Sequence, residues 1–571
     1  MWQEGEQGEL APIVTWFRKR ECYPGTFYVM LVLAIMLPLF RPGYLLALDL
    51  SWTPNIRVPG IANNYYIFFL ALHLLSYVLP SQLIEKVLLF VILWLAAYGT
   101  HRLVRKWGNV DAWACYFAGI FYIFSPFAYS RFLAGQYLIL LAFGLMPWFL
   151  SALLTFLINP NLSSSCRLTL WVATVSIVDL HSIFFMAILV MISLVGMSLA
   201  KTVDLRSALK WGIAATLTWV VLSSYWLLPL LLGRSSTADL IDNFTAQFVR
   251  AFQTVGDPKY GVVFNAAAMY GFWVDKVGRY VLPKSLIGIW PGIATLFIGL
   301  SLLGLTVARQ QALAWIMFAT GLIALVLGVG TAYDPFAPIF YWLFYHVPFF
   351  KGFREPEKFI GLLVLALAYL GSIGASWLAN CVRQRLIKTR GEVLGSFMLP
   401  ILILVMPFIY NPLEMWGFAG QMKPTNYPSD WYLTNRQLNL DPSNFKVLFL
   451  PWHMYLSFSF TNGVIANPAS SFFNKPIIQG NNIQIANIYT GVNTPTSLYV
   501  EEHILTEGPS VTDIGENLDH LDIKYVLVAK NFDAGQYQWL NHQIDLKQVA
   551  NTRNLLVYKN DAWKPPAHPA G

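Results

Sequence analysis

Residues 137–158 read YLILLAFGLMPWFLSALLTFLI and contain no charged side chain. A helix needs about 20 apolar residues to cross the hydrocarbon core of a membrane. This stretch therefore predicts a membrane-spanning helix. Only 12% of all residues are charged, whereas soluble domains contain roughly 25%, and this low share favours a membrane protein. The other predicted spans are 27–47, 83–100, 112–129, 168–179, 182–200, 211–233, 286–307, 312–330, 359–380 and 394–411.

The apolar stretch 62–79 does not fit a simple succession of spans. Lys and Arg concentrate in cytoplasmic loops, and a full crossing by 62–79 would place the basic residues of 102–106 outside. We therefore expect 62–79 to be a re-entrant or interfacial helix. The basic clusters that then all face the cytoplasm are Arg18–Arg20; Arg102, Arg105 and Lys106; Lys201, Arg206 and Lys210; and Arg383, Arg385, Lys388 and Arg390.

The predicted fold is mainly α, a polytopic membrane helix bundle of about eleven transmembrane helices plus one re-entrant or interfacial helix. The basic clusters place the N-terminus of this multi-pass chain in the cytoplasm, and they suit a prokaryotic plasma membrane or an endoplasmic reticulum membrane. The absence of cysteines from the large outer domain favours the plasma membrane. The net charge of +8 is interpreted as this topology signal, because no nucleic-acid-binding motif accompanies it. We therefore expect the membrane as a partner and no nucleic acid.

The chain changes character after residue 412, where it becomes rich in Asn, Pro and Asp. Runs at 446–450, 523–528 and 554–558 have strand composition, and 518–521 and 534–542 favour helix. We predict two domains, 1–412 in the membrane and 413–571 as an extracytoplasmic α+β domain. The four cysteines are isolated and none lies in the second domain, so the sequence indicates neither a disulfide there nor a metal or redox site.

Several polar residues interrupt the apolar half at positions predicted to be outside. Asp49 follows the first span and can act as a general base, although an isolated interfacial acid would look the same. Arg131 and Gln136 lie in SPFAYSRFLAGQY, where the guanidinium fits a phosphate or anchors a helix end. Asp179 and His181 break an apolar run, where ionisable groups have a partner or a function.

The densest charged motif of the apolar half is FREPEKF at 353–359. As a purely structural motif it would begin a helix, with Pro356 in the first turn and acids at the N-terminus. As a binding motif it would aim Arg354, Glu355 and Lys358 into an outer cavity, where a cation neutralises a phosphate. Three tryptophans near outer loops, Trp52, Trp273 and Trp290, are candidates to stack on sugar rings.

Motifs for nucleotide-dependent or hydrolytic chemistry do not occur in the sequence. It contains no Walker loop, no GxGxxG in a strand-turn-helix setting, no HExxH and no GxSxG. No DxD motif lies at Asp49, and this weakens a metal-assisted pyrophosphate donor. We therefore expect no cofactor and no metal site, with a divalent cation left open but not indicated.

These motifs together resemble the GT-C superfamily of membrane glycosyltransferases, in particular its YfhO-type and arabinofuranosyltransferase-like members. The resemblance rests on Asp49 after the first helix, SPFAYSRFLAGQYLILLAFGLMPW at 125–148, FREPEKF at 353–359, and HLDIKYVLVAKN and LLVYKN in the tail. It implies a helix bundle with a long first outer loop and an inverting transfer from a polyprenyl-phosphate-linked sugar at the outer face.

The resemblance also implies roles for individual residues. Asp49 becomes the candidate catalytic base, and Arg131, Arg354 and Lys358 become candidates to contact the lipid phosphate. Gln136 departs from the family pattern, since related sequences often read Gly-His there. The sequence therefore predicts a membrane glycosyltransferase with a lipid-linked sugar donor and a glycan, lipid or protein acceptor. A lipid or polysaccharide transporter or flippase, or a non-catalytic envelope assembly protein, remains the alternative.

Overall fold

The computed structural model describes residues 22–235, 241, 244–388, 393–485, 488–490, 494–531 and 533–565. The predicted basic cluster Arg18–Arg20, and Arg390 of the last cluster, lie outside these residues. The helices of the apolar half are Cys22–Met36, Tyr66–Leu75, Ser81–Trp107, Ala112–Ile123, Pro126–Leu133, Tyr137–Ile158, Leu162–Ser176, His181–Leu199, Leu205–Leu231, Ala246–Ala251, Gly261–Ala267, Pro283–Leu286, Trp290–Val307, Ala312–Val329, Ala337–His346, Ile360–Lys388 and Val393–Tyr410.

The polytopic helix bundle expected from the sequence is confirmed. Nine helical stretches among the described residues are long and apolar enough to cross a membrane. A tenth is added if Met398–Tyr410 and Pro412–Ala419, which meet at an angle of 68°, count as one span. The stretch Pro356–Arg385 is buried along its whole apolar window and forms the centre of the bundle.

The count by length and composition is lower than the eleven spans predicted, because one helix is short and the last is counted only with its bent continuation. The block at 168–179 belongs to the helix Leu162–Ser176, whose 15 residues extend over about 22 Å. A bilayer core is about 30 Å thick, so this helix is shorter than a standard span. It still runs from one end of the bundle to the other, since Arg167 near its start lies close to Lys106, whereas Asp179 just after its end lies close to Lys358 at the opposite end. The helix Tyr66–Leu75 in the stretch 62–79 has 10 residues and extends over only about 15 Å, too little to cross.

The bundle has two chemically different ends. Short connections join consecutive long helices, so these helices alternate in direction. The C-terminal end of Ser81–Trp107 carries Arg102, Arg105 and Lys106, and we call this end of the bundle the basic end. The loop that carries Asp49 and the C-terminal region lie at the other end, which we call the site end.

The C-terminal region contains a five-stranded mixed sheet. Its strands lie in the order Leu546–Asn551, Leu555–Asn560, Ile523–Ala529, Lys446–Leu450 and Ile477–Gln479. The first three pair antiparallel, and Lys446–Leu450 runs parallel to both of its neighbours. The sequence-predicted strands at 446–450, 523–528 and 554–558 are therefore confirmed. The boundary at 412/413 between two domains stays a prediction.

Short strands and helices complete the C-terminal region. The strands are Pro424–Thr425, which pairs with Tyr44–Leu45 of the loop after the first helix, Tyr455–Ser457 with Val464–Ala466, and Ile483–Ile485 with Ile488–Thr490. The helices are Met415–Ala419, Ser429–Leu440, Ala469–Phe472, Pro495–Tyr499 and Gly515–His520, with a π-helix at Val500–Thr506 and 3-10 turns at Gly508–Ser510 and Ala534–His542.

Both faces of the sheet are buried, which fixes the region against the bundle. Successive residues of Lys446–Leu450 point to opposite faces. Val447 and Phe449 pack into the hydrophobic core that is continuous with the membrane helices, whereas Leu448 and Leu450 belong to a separate core within the region. The C-terminal region is therefore packed on the site end of the bundle.

Candidate active site

The loop that carries Asp49 is held in a tight turn against a second loop. The Ala47 amide donates to the Leu50 carbonyl at 2.9 Å, and the Asp49 amide donates to the Ala134 carbonyl at 2.9 Å. Gly135 has a φ of +76°, and a Cβ added to it would lie 2.5 Å from the Leu50 backbone nitrogen. Only glycine allows the two loops to approach this closely.

The C-terminal region also holds this loop. Tyr44 pairs with Thr425 in a short antiparallel sheet. The Ala466 amide donates to the Leu48 carbonyl at 2.7 Å, and the Tyr427 hydroxyl donates to the Trp52 carbonyl at 3.0 Å. These bonds lie on both sides of Asp49 along the chain. The position of its carboxylate therefore depends on the C-terminal region as well as on the membrane helices.

The Asp49 carboxylate accepts two side-chain hydrogen bonds. Gln136 Nε2 donates to Oδ2 at 2.9 Å, and the Tyr455 hydroxyl donates to Oδ1 at 2.8 Å. Burial raises the pKa of Asp49 above its ordinary value, although both hydrogen bonds act in the opposite direction. Each carboxylate oxygen keeps a second lone pair, so the group can still accept a proton from a bound hydroxyl.

Arg131 lies behind this carboxylate and is fully buried. Its guanidinium is 3.2 Å from Glu355 Oε2 and 2.9 Å from Glu357 Oε1, and it lies 3.9 Å from the centroid of the Phe272 ring. It also donates to Gln136 Oε1. Because a guanidinium can only donate, this contact fixes the Gln136 amide with its nitrogen towards Asp49.

The expectation that Arg131 contacts a phosphate is therefore corrected. A guanidinium with no exposed surface, paired with two carboxylates, cannot reach a ligand in the cavity without leaving both acids unpaired. Breaking such a buried pair costs about 3–5 kcal/mol. The geometry instead makes Arg131 a positioning residue for Gln136 and Glu355.

Glu355 and Lys358 continue the polar network towards the cavity. Lys358 Nζ lies 3.6 Å from Glu355 Oε2 and 3.2 Å from His181 Nε2. Burial raises the pKa of Glu355, but the positive charges of Lys358, Arg131 and Arg354 outweigh it and lower this pKa to about 2. Glu355 is therefore ionised, and it holds Lys358 beside the cavity.

Asp179 and His181 form the end of this network. His181 Nδ1 lies 2.8 Å from Asp179 Oδ1, and the Ser182 hydroxyl donates to Asp179 Oδ2 at 2.7 Å. Burial raises the pKa of Asp179, but His181, Ser182 and Lys358 together outweigh burial and lower it. His181 Nε2 is also 3.1 Å from the Gly352 carbonyl, so the ring either donates to Gly352 or accepts from Lys358.

Arg354, unlike Arg131 and Lys358, has no ion-pair partner among the described residues. Its guanidinium carbon lies 4.7 Å from the centroid of the Phe244 ring and 4.8 Å from that of Phe252. Aromatic faces attract a cation without neutralising it. The guanidinium edge therefore keeps its hydrogen-bonding capacity for an anion.

A cavity of about 550 Å³ joins these groups, which is within the ordinary range for a small-molecule site. All the site residues predicted from the sequence line it except Arg131. They are Asp49, Gln136, Asp179, His181, Arg354, Glu355 and Lys358. The remaining walls are mostly apolar or aromatic and consist of Leu48, Tyr65, Gly135, Tyr137, Leu138, Ile139, Phe252, Trp273, Val274, Val277, Arg279, Tyr455 and Val464.

Tyr455 and Arg279 make polar contacts beside this cavity and were not predicted as site residues. Tyr455 lies in the C-terminal region, 406 positions from its partner Asp49, so no local pattern connects them. Arg279 lines the cavity and donates to the Val464 carbonyl. A cation in a long outer loop was the only signal for Arg279. Of the three candidate tryptophans, Trp273 lines the cavity, whereas Trp290 packs against Tyr260 and Tyr270.

Trp52 lies next to the site but outside the main cavity. It is 7% exposed and lies edge-on to Tyr137 at 5.7 Å.

No group of three or more His, Cys, Asp or Glu side chains among the described residues is placed to hold a metal ion. The Asp49 carboxylate can accept a proton, and the cations Arg354 and Lys358 can bind an anion.

No protein-family model matches the sequence, and no curated protein matches it. Solved structures do resemble it. The arabinofuranosyltransferase AftD from mycobacteria matches with a TM-score of 0.62 and 14% identity, over 96% of this chain and 40% of that chain. A mutant form of AftD matches with a TM-score of 0.54 and 15% identity, over 97% of this chain and 42% of that chain. ArnT from Cupriavidus metallidurans, solved with undecaprenyl phosphate, has a TM-score of 0.48 and 13% identity, with 98% of this chain and all of that one covered.

The AftD likeness establishes the fold. The chain spans about two fifths of the length of AftD. The fold expected from the resemblance stated from the sequence is thereby confirmed.

Proposed function

We propose that this chain is a membrane glycosyltransferase that transfers a sugar from a polyprenyl-phosphate-linked donor to an acceptor hydroxyl. The observation that carries the proposal is the content of one cavity. A buried carboxylate with a raised pKa, Asp49, shares it with the cations Arg354 and Lys358. The fold shared with AftD, a protein named as an arabinofuranosyltransferase, supports the same chemistry.

The reaction needs one base and one place for the leaving group. Asp49 takes the proton from the acceptor hydroxyl, and the hydroxyl oxygen forms the new bond to the anomeric carbon of the sugar. The bond between that carbon and the phosphate oxygen breaks, and the phosphate leaves with the electron pair. The raised pKa makes Asp49 a better base than an ordinary aspartate, because its proton affinity lies closer to neutral pH. Transfer in one displacement inverts the anomeric centre.

The leaving phosphate is assigned to Arg354 and Lys358. Charge that develops on the leaving oxygen is stabilised most by donors that are already in place before the reaction. Arg354 lies against two phenyl rings, and Lys358 is held by Glu355 and His181. Both cations are therefore oriented without a ligand.

A lipid carrier fits the surroundings of the cavity. Tyr137, Leu138 and Ile139 line it and also begin the membrane helix Tyr137–Ile158. Tyr65, another lining residue, precedes the short helix Tyr66–Leu75, which exposes Ile67, Leu74 and Leu75. These apolar surfaces lie where the tail of a lipid donor would enter. The acceptor, whether glycan, lipid or protein, would approach from the side of the C-terminal region, which supplies Tyr455.

The proposal places the reaction at the extracytoplasmic face of a plasma membrane, because the basic end of the bundle is expected to face the cytoplasm. The C-terminal region would then be extracytoplasmic. A lipid transporter or flippase, or a non-catalytic protein of envelope assembly, would not need a raised pKa at Asp49. Neither role predicts the loss of sugar transfer in Asp49→Asn that is tested below.

The test compares wild type with Asp49→Asn and with the control Asp334→Asn. Asp334 is an exposed acid in a connection at the same end of the bundle, outside the cavity lining. The purified full chain in proteoliposomes receives radiolabelled polyprenyl-phosphate sugars and an extract of envelope glycans. Transfer of label by Asp49→Asn should fall about 10²–10⁴-fold, and Asp334→Asn should match wild type.

Equal transfer by Asp49→Asn and wild type would show that Asp49 is not the base. If wild type moves labelled lipid between leaflets and transfers no sugar from any donor, the transporter hypothesis replaces the proposed function.

A further inference from the structure

A second cavity of about 490 Å³ lies at the basic end of the bundle. Arg102, Arg105 and Lys106 come from the last two turns of Ser81–Trp107, and Arg167 comes from the facing helix Leu162–Ser176. The helix Ser81–Trp107 also carries Glu85, which accepts a hydrogen bond from the Leu45 amide close to Asp49. The 20 residues between Glu85 and Arg105 correspond to about 30 Å, so the two cavities lie at opposite ends of the bundle.

The described residues around this cavity do not neutralise its cations. No acidic side chain lines the cavity, and none of Arg102, Arg105, Lys106 and Arg167 has an ion-pair partner among the described residues. Like charges around one space repel each other unless an anion lies between them. The positive-inside rule explains why basic residues lie at this end of the helices, but it does not require residues of two helices to border one cavity.

The rest of the cavity wall is aromatic and closely packed. Trp148 stacks on Trp171 with ring centroids 5.8 Å apart, and the Arg102 guanidinium lies 5.4 Å from the Trp148 ring. A Cβ at Gly99 would lie 2.3 Å from Trp148 Nε1, so glycine is what lets this indole lie against the neighbouring helix. Lys106 Nζ donates to the Thr155 hydroxyl at 2.6 Å, which holds the ammonium at the edge of the cavity.

We propose that this cavity binds the phosphate of an anionic membrane lipid. Arginine forks match phosphate oxygens, and tryptophan rings pack against the glycerol and the first methylenes of a lipid at the membrane interface. Basic pockets between membrane helices bind anionic headgroups at this depth. The site is separate from the transfer site, and binding to it is measurable without any enzymatic activity.

The test uses two double variants that remove the same charge from the same end of the protein. Arg102→Gln with Arg167→Gln alters the cavity, whereas Lys210→Gln with Arg309→Gln removes two exposed cations outside its lining. Native mass spectrometry of the full chain measures the affinity for phosphatidylglycerol, with phosphatidylcholine and inorganic phosphate as the other probes. Thermal unfolding confirms that both variants are folded.

The cavity variant should bind phosphatidylglycerol about thirtyfold more weakly than wild type, since each basic residue near a headgroup contributes about one kcal/mol. The control variant should change this affinity less than threefold. If inorganic phosphate displaces the lipid, the cavity recognises phosphate itself, and a soluble phosphate is enough to occupy it. Persistence of the lipid would assign it to the whole headgroup.

Equal weakening in the two variants would overturn the proposal, because the basic end would then attract anions only through its overall charge. Equal affinity of wild type for phosphatidylcholine and phosphatidylglycerol would overturn it as well.

Discussion

Asp49 is placed at the centre of a network of side chains that no single element supplies. Gln136 reaches it from the start of a membrane helix, and Tyr455 reaches it from the C-terminal region. Behind them, Arg131 pairs with Glu355 and fixes the amide of Gln136. The carboxylate is thus buried and oriented at once, and its proton affinity depends on both donors.

Removing one of these donors should change the pH dependence of transfer. Asp49 must be deprotonated to act as a base, so the rate should rise with pH as the group loses its proton. The Tyr455 hydroxyl stabilises the charged form, and Tyr455→Phe should therefore raise the pKa of Asp49 further. We expect the acidic limb of the rate profile to move to higher pH, with about a tenfold lower rate at a fixed pH on that limb.

Transfer rates measured over roughly pH 4 to 9, a range that covers the acidic limb, distinguish a shifted pKa of Asp49 from a structural effect of the substitution. A uniform loss at every pH would show that Tyr455 only supports the fold.

Arg354 should contribute to donor binding more than any exposed cation at the same end. Arg354→Gln removes a guanidinium that has no ion-pair partner among the described residues, and Lys423→Gln removes an exposed charge outside the cavity. A hydrogen bond to a charged group contributes about 1.5–3 kcal/mol, so Arg354→Gln should raise KM for the donor at least about tenfold. Steady-state kinetics over a range of donor concentrations measure this. A KM that changes equally in both variants would mean that Arg354 acts only through bulk charge.

At the residue scale, the sequence identifies polar groups in apolar surroundings but not their partners. Asp179, His181, Arg354 and Lys358 could be found because charge is costly at membrane depth. Arg131 satisfied the same criterion, yet its charge is used inside the protein by Glu355 and Glu357. Nothing local in the sequence distinguishes these two outcomes.

The connection between the helices Pro126–Leu133 and Tyr137–Ile158 is the element on which the site depends most. Gly135 lies in it at a positive φ, in contact with Leu50. Gly135→Ala should therefore displace Leu50 and Asp49 and cost about 1–3 kcal/mol of stability. Gly299→Ala is the control, since Gly299 lies within a helix with open space around it.

Thermal unfolding and transfer rate should both fall for Gly135→Ala, whereas Gly299→Ala should be neutral or stabilising. Full activity of Gly135→Ala would show that the contact with Leu50 does not hold Asp49 in place.

Elements were predictable where one physical requirement dominates. Apolar length located the helices that span, such as Tyr137–Ile158, and β-branched runs located the strand Ile523–Ala529. The block at 168–179 belongs to the helix Leu162–Ser176, whose short length the apolar composition alone does not show. The hairpin of Tyr455–Ser457 and Val464–Ala466 was missed, since three-residue strands carry almost no pattern.

For the whole molecule, the orientation in the membrane follows from charge and remains a prediction. Cys166 is exposed near the basic end, Cys115 is buried, and the C-terminal region contains no native cysteine. A membrane-impermeant maleimide added to intact cells should therefore label Lys547→Cys and should label wild type only after permeabilisation. Labelling of wild type in intact cells would place the basic end outside.

Transfer with Asp49 as the base requires the sugar donor to occupy the cavity between the Asp49 loop and the C-terminal region. The most direct measurement is a cryo-electron microscopy structure of the full chain in lipid nanodiscs with a hydrolysis-resistant polyprenyl-phosphonate sugar. We expect the phosphonate at hydrogen-bonding distance, about 3 Å, from Arg354 and Lys358, with the anomeric carbon facing Asp49. Density for the analogue anywhere else, with this cavity empty at saturating concentration, would contradict the proposed function.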